Sequence, residues 1–135
     1  MGDSMTITEL EGTLEPGEVF VFCHAKLAET LGEICDRTSG GNPMNFNGDD
    51  ALGLAYGGTL VDTIGTEGED PGAGWGLDGV TDATKDHTLV RLPEVTSGSL
   101  DWSSATLGWL VSDKDMTTGL GAHEVALMCV VEPAP

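Results

Sequence analysis

The stretch from Phe46 to Gly65, Phe-Asn-Gly-Asp-Asp-Ala-Leu-Gly-Leu-Ala-Tyr-Gly-Gly-Thr-Leu-Val-Asp-Thr-Ile-Gly, constrains this chain more than any other. It reads as a polar turn over Asn47, Gly48, Asp49 and Asp50, a strand over Ala51–Tyr56, a Gly57-Gly58 connection and a second strand over Thr59–Ile64. Two β-prone runs joined by Gly-Gly predict a hairpin, because glycine reaches the positive φ angles of tight hairpin turns. This hairpin is expected to form the core of the domain.

The 135 residues, 39% of them hydrophobic, suffice for one core and not for two. Residues 6–131 are expected to form one domain, with a polar tail at 1–5 and a Pro-rich tail at 132–135. Twenty glycines, six prolines and short apolar runs favour strands and turns over long helices. No run approaches the length of a membrane span, and the start lacks the basic-then-apolar order of a signal peptide.

Five Lys plus Arg against 23 Asp plus Glu give a formal charge of −18. Such a field repels phosphate backbones and anionic membrane surfaces, which disfavours nucleic acid and membrane insertion and suits a cationic partner or a hard cation. The plainer reading is a surface that keeps a protein soluble in salt water. Cys23 and Cys35 flank a segment short enough to fold back, so a bridge between them is feasible in an oxidising compartment, whereas Cys129 lies in an apolar run and reads as a buried thiol. No CxxC spacing points to zinc or redox chemistry.

Thr6–Leu10 is a weak strand candidate. Val19-Phe-Val-Phe-Cys23 has no polar face and predicts a strand buried on both sides. Leu27, Leu31 and Ile34 then fall at helical spacing within Lys26–Asp36, predicting one short helix closed at Gly40 or Gly41. His24, at the join, reads as a hydrogen-bonded structural residue.

Thr66–Asp86 is a long Gly- and acid-rich loop with one large apolar residue, Trp75. Trp75 reads as an anchor pinning the loop, the alternative being a stacking surface for sugar or peptide. Gly72, Gly74 and Gly76 do not make a phosphate loop, since no strand feeds them and no helix follows. Thr88–Leu92, Trp109–Val111 and His123–Val131 are further strands, Thr96–Ser104 a polar turn and Lys114–Gly121 a loop. Arg91 is expected to pair with an acidic neighbour across the sheet. His24, His87 and His123 are scattered and no GxSxG-type nucleophile motif is present, so the residues argue against an enzyme.

Taken in order, Gly12-Thr-Leu-x-Pro-Gly-Glu-Val-Phe-Val, Phe46-Asn-Gly-Asp-Asp-Ala-Leu-x-Leu, Leu60-Val-Asp-x-Ile-Gly65, Asp70-Pro-Gly with Trp75, Thr88-Leu-Val-Arg91 and Leu120-Gly-x-His123 resemble the lamin-tail domain, especially its bacterial and environmental branch. The resemblance covers roughly residues 10–123 and implies an all-β, immunoglobulin-like β-sandwich with one short helix. It also implies a non-catalytic, extracellular binding or adhesion module with no assigned ligand and no cofactor, facing a protein or carbohydrate surface. Carried over as structural positions are Asn47, Gly48, Asp62, Trp75, Arg91 and His123, with Asp49, Asp50 and Asp70 at the turn and loop. Cys23 and Cys35 fall where some members carry a cysteine pair.

The family usually has additional opening strands, with an Ile-Ser-Glu and a Glu-Ile-x-Asn motif, ahead of this point. A sheet lacking them exposes an unpaired edge, which Val125–Val131 is expected to fill in its own chain or by exchange in a homodimer. Asp49, Asp50, Asp70 and loop carbonyls are oxygen ligands of the kind Ca²⁺ takes, although the spacing matches no EF-hand loop and Asx-turns without metal explain the same residues.

Overall fold

A computed structural model describes residues 6–105 and 108–125. Its elements are β1 (Phe22–His24), α1 (Ala25–Leu31), a 3₁₀ turn (Gly32–Ile34), β2 (Arg37–Ser39), β3 (Leu52–Tyr56), β4 (Thr59–Ile64), β5 (His87–Arg91), α2 (Trp102–Ala105) and β6 (Trp109–Lys114). Among the described residues the strands pair two by two: β1 with β2 in parallel, β3 with β4 and β5 with β6 antiparallel. The class is strand-rich and all-β, with short helices in the connections.

The hairpin forms as its sequence predicts. Gly57 and Gly58 adopt φ of 60° and 85°, the doubly positive pattern of a type I′ turn. Val61 is an extra residue on β4, since Leu54 faces Asp62 while Ala55 faces Leu60.

The hairpin is not the core, however. The buried cluster is Trp75, Leu77, Ala83 and Trp102, with Ile64, Val80, Leu89, Trp109 and Val111 packed around it. Three tryptophans bring more apolar area than the leucines and alanines of the hairpin, so the long loop and α2 hold the centre. Only the base of β4 reaches it, through Ile64.

The stretch at Val19 also differs from expectation. Only Phe22–His24 is strand, Val21 and Cys23 are buried, and Val19 is 36% exposed. Val21, just ahead of β1, is tied to Asp36 and to the start of β2: its amide donates to Asp36 Oδ2 at 2.7 Å, and its carbonyl accepts from the Asp36 and Arg37 amides at 2.8 and 3.2 Å. The helix is shorter than the spacing implied, ending at Leu31 in the 3₁₀ turn because the chain must rise into β2, the parallel partner of β1. β2 and α2 were not expected, and Thr6–Leu10 belongs to no strand. The expected terminal strand reaches the described residues only at His123–Val125, which are exposed and unassigned to a strand. Residues 126–131, Cys129 and both tails lie outside the described residues.

Gly65 fixes the geometry of the centre. Its φ is 79°, and a Cβ there would lie 2.5 Å from Cε2 of the Trp75 indole. Gly65→Ala should therefore destabilise the chain by about 2–4 kcal/mol, and Trp75→Ala by about 3–5 kcal/mol, read as shifts of the urea unfolding midpoint; midpoints within experimental error of wild type would show that the indole is not the centre.

Candidate binding surface

Trp75 places the loops. Its amide donates to Thr84 Oγ1 at 2.8 Å, the Thr84 hydroxyl donates to the Gly48 carbonyl at 2.6 Å, and its indole N–H donates to the Asp50 carbonyl at 3.2 Å. Trp102 meets the indole edge-on, with ring centroids 6.4 Å apart. Trp75 thus stands in the structure as a buried anchor and not as a stacking surface. Asn47 lies exposed beside the buried Gly48.

Asp62 and Arg91 meet between two sheets. Arg91 Nη2 lies 3.1 and 3.2 Å from the Asp62 oxygens, and the guanidinium sits over the Trp109 ring at 4.0 Å from its centroid. Asp62 Oδ1 also accepts the Ser99 and Thr63 amides at 2.9 and 3.1 Å. The acidic partner anticipated for Arg91 therefore comes from β4, not from β6 beside it. Arg91 Nε and Trp109 Nε1 are buried and have no hydrogen-bond partner among the described residues.

Cys23 and Cys35 are joined by a disulfide, with Cα atoms 5.8 Å apart across the α1 connection. The three histidines sit on three separate segments. His24 caps α1, its Nδ1 accepting the Lys26 amide at 3.0 Å; the His87 ring bonds the Ser112 carbonyl at 2.9 Å; His123 is exposed. Among the described residues no group of three or more His, Cys, Asp or Glu is placed to hold a metal ion. Asp49, Asp50 and Asp70 are not brought together as a calcium set: Asp70 Oδ1 accepts the Gly72 amide at 2.9 Å in an Asx-turn, and Asp50 serves through its main-chain carbonyl. Asp101 leads into α2, where hydrogen bonds from Ser103 and then Ser104 hold its carboxyl below its ordinary value; Ser103 donates through amide and hydroxyl at 3.1 and 2.7 Å.

The hairpin presents apolar side chains to solvent. Leu54, Tyr56, Leu60 and Val61 of the hairpin are 54%, 83%, 45% and 40% exposed. Sequence reasoning missed this surface because Leu-Gly-Leu-Ala-Tyr reads as core whether or not anything covers it. The missed α2 did leave a signal: Asp101 ahead of Trp-Ser-Ser is a helix-start residue.

An open hollow of about 530 Å³ lies against Leu77–Asp82, and another of about 340 Å³ beside Arg91 and Ser97–Ser99. No helix among the described residues is long and apolar enough to cross a membrane. No family model, curated protein or solved structure matches the chain. Fold and surface together define a strand-rich, disulfide-bonded, acidic protein with an uncovered apolar hairpin.

Two outcomes follow from this geometry. Asp62→Ala leaves a largely buried guanidinium without its carboxylate and should cost about 2–4 kcal/mol, part of which returns in the double variant with Arg91→Met, by urea unfolding; a double variant no better than the single one would contradict the pairing. Reducing the disulfide releases a connection of sequence separation 12 and should cost about 2–4 kcal/mol, measured with and without dithiothreitol.

Proposed function

We propose that the chain is a non-catalytic extracellular binding module of the lamin-tail type, folded as an immunoglobulin-like β-sandwich. The observation that carries this reading is the apolar exposure of the hairpin among the described residues: Tyr56 at 83% and Leu54 at 54% exposure stand on one of its faces, on a protein whose net charge is −18. Large apolar side chains in solvent on so polar a molecule mark a contact surface. The disulfide fits an oxidising compartment, and the ordered lamin-tail motifs fit a secreted accessory domain. His24 caps α1, the His87 ring bonds the Ser112 carbonyl, Asp70 closes a turn and Asp62 pairs with Arg91, and these structural roles favour binding over catalysis.

Self-association through an incomplete edge is the second reading, favoured by the two-stranded sheets. Light scattering coupled to size exclusion separates the two. A binding module runs as a monomer over the whole concentration range, unmoved by calcium or chelator. Apparent mass rising with protein concentration establishes self-association instead, and turnover of generic phosphodiester or glycoside substrates overturns both.

A further inference from the structure

Among the described residues the hairpin has one shut edge and one open edge. Along β4 the Thr63 amide and hydroxyl donate to the Ser99 carbonyl at 3.0 and 3.2 Å, and the Ser99 amide returns to Asp62. Gly98 is pressed so close that a Cβ there would lie 2.2 Å from the Val61 carbonyl oxygen. Residues 98–99 thus cover that side.

The register identifies what the other side offers. Gly53 stands opposite Thr63, whose amide is turned away from β3 toward Ser99. The two therefore form a non-hydrogen-bonded pair, and the Gly53 amide and carbonyl point outward. By the alternation of the strand, those of Ala55 do too. No described residue pairs with that side of β3. Small side chains at both positions leave the outward main chain accessible.

β3 also lacks what usually protects an edge. Leu52–Tyr56 contains no charge and no proline, and the bulged residue, Val61, lies on β4. The other strands are less suited: β1 and β2 run three residues each, and β5 and β6 carry His87, Arg91, Asp113 and Lys114. Charge then selects the partner. Every charged residue from Thr38 to Thr84 is Asp or Glu, and β3 is entered directly from Asp49 and Asp50.

We infer that the free edge of β3 docks an extended, basic segment of another protein, apolar at alternate positions and carrying Lys or Arg at the end that lies beside Asp49 and Asp50. Strand addition supplies main-chain hydrogen bonds at Gly53 and Ala55, apolar contact at Leu54 and Tyr56, and electrostatic steering from the acidic base. A second copy of this chain is a poor occupant, because each copy carries a charge of −18 and the strip offers no cation to its twin. The chain's own apolar run 125–131 is bounded by Glu124 and Glu132 and meets the same mismatch. The inference rests on the binding-module reading and names its partner class.

The test uses the full chain and two fluorescently labelled peptides of about nine residues sharing an alternating Val-Thr core, one ended by Lys-Arg-Lys and the other by Glu-Asp-Glu, titrated by anisotropy. The basic peptide should bind at least about tenfold more tightly than the acidic one, and its affinity should fall between about 20 and about 300 mM salt. Ala55→Pro removes an outward donor that β4 does not use, and Leu54→Lys sets a cation on the strip. Each should weaken the basic peptide about tenfold with the far-UV circular dichroism unchanged. Equal affinity for the two peptides, binding of neither, or binding indifferent to both variants overturns the inference. Basic-peptide binding that ignores both variants does so while leaving a binding module standing, whereas substrate turnover removes that broader reading. Peptide binding that appears only after residues 126–135 are removed, or a dimer abolished by Ala55→Pro, names the chain's own tail or a second copy as occupant and also overturns it.

Discussion

The packing of the Trp75 indole against Gly65 is the contact on which the rest of the described structure depends. Gly65 ends β4, Trp75 lies in the middle of the long loop, and the close approach requires the absence of a side chain at Gly65. Once the ring is seated, its N–H reaches Asp50 at the entry to β3 and Trp102 from α2 packs against it in a T-shaped pair. One side chain thereby fixes both ends of the hairpin, the loop after it and the helix before β6. A loop as polar as Thr66–Asp86 orders because it contributes one of the two buried tryptophans of the core, which offsets the entropy of fixing its glycines.

The β1–α1–β2 unit is held differently. It shares little with the tryptophan cluster, and parallel strands of three residues have too few ladder bonds to stand alone. Covalent and side-chain ties substitute for packing: the disulfide closes the connection, Asp36 wraps both main-chain groups of Val21, and Arg37 stacks over Phe22 at 5.4 Å while reaching the Glu9 carbonyl at 2.6 Å. Small units with little core rely on such staples.

Local chemistry was legible in the residues and coverage was not. Gly57-Gly58 specified the turn, Thr88 to Leu92 and Trp109 to Val111 specified strands, and Trp75 alone in a polar loop specified an anchor, because each depends on near neighbours. β2 was invisible, since Arg-Thr-Ser has neither periodicity nor apolar weight and becomes a strand only because Cys35 is tied beside β1. The Val19 run and the hairpin misled for one shared reason: apolar composition reports what a segment can bury, and nothing about which segment arrives to bury it. At the candidate surface, Asp62 and Arg91 could each be singled out, yet their pairing across separate sheets is tertiary and no spacing encodes it.

The acidic surface and the open edge belong to one physical arrangement. A strand of Leu-Gly-Leu-Ala-Tyr whose outer main-chain groups no described residue pairs would ordinarily template association of identical chains. β3 itself carries no charge to prevent it, so protection must come from elsewhere in the molecule. A net charge of −18, carried without a single cation between Arg37 and Lys85, supplies it at a distance, since two like fields oppose close approach before any strand can pair. The same field would attract a basic segment, so one distribution of carboxylates would both oppose the approach of a second copy and select what the edge accepts. Because exposed charges are screened over about a Debye length, roughly 10 Å at 0.1 M salt, both effects weaken together as ionic strength rises. Discrimination by charge is therefore greatest where salt is low, and at high salt the strip is left with its apolar contacts and main-chain bonds alone.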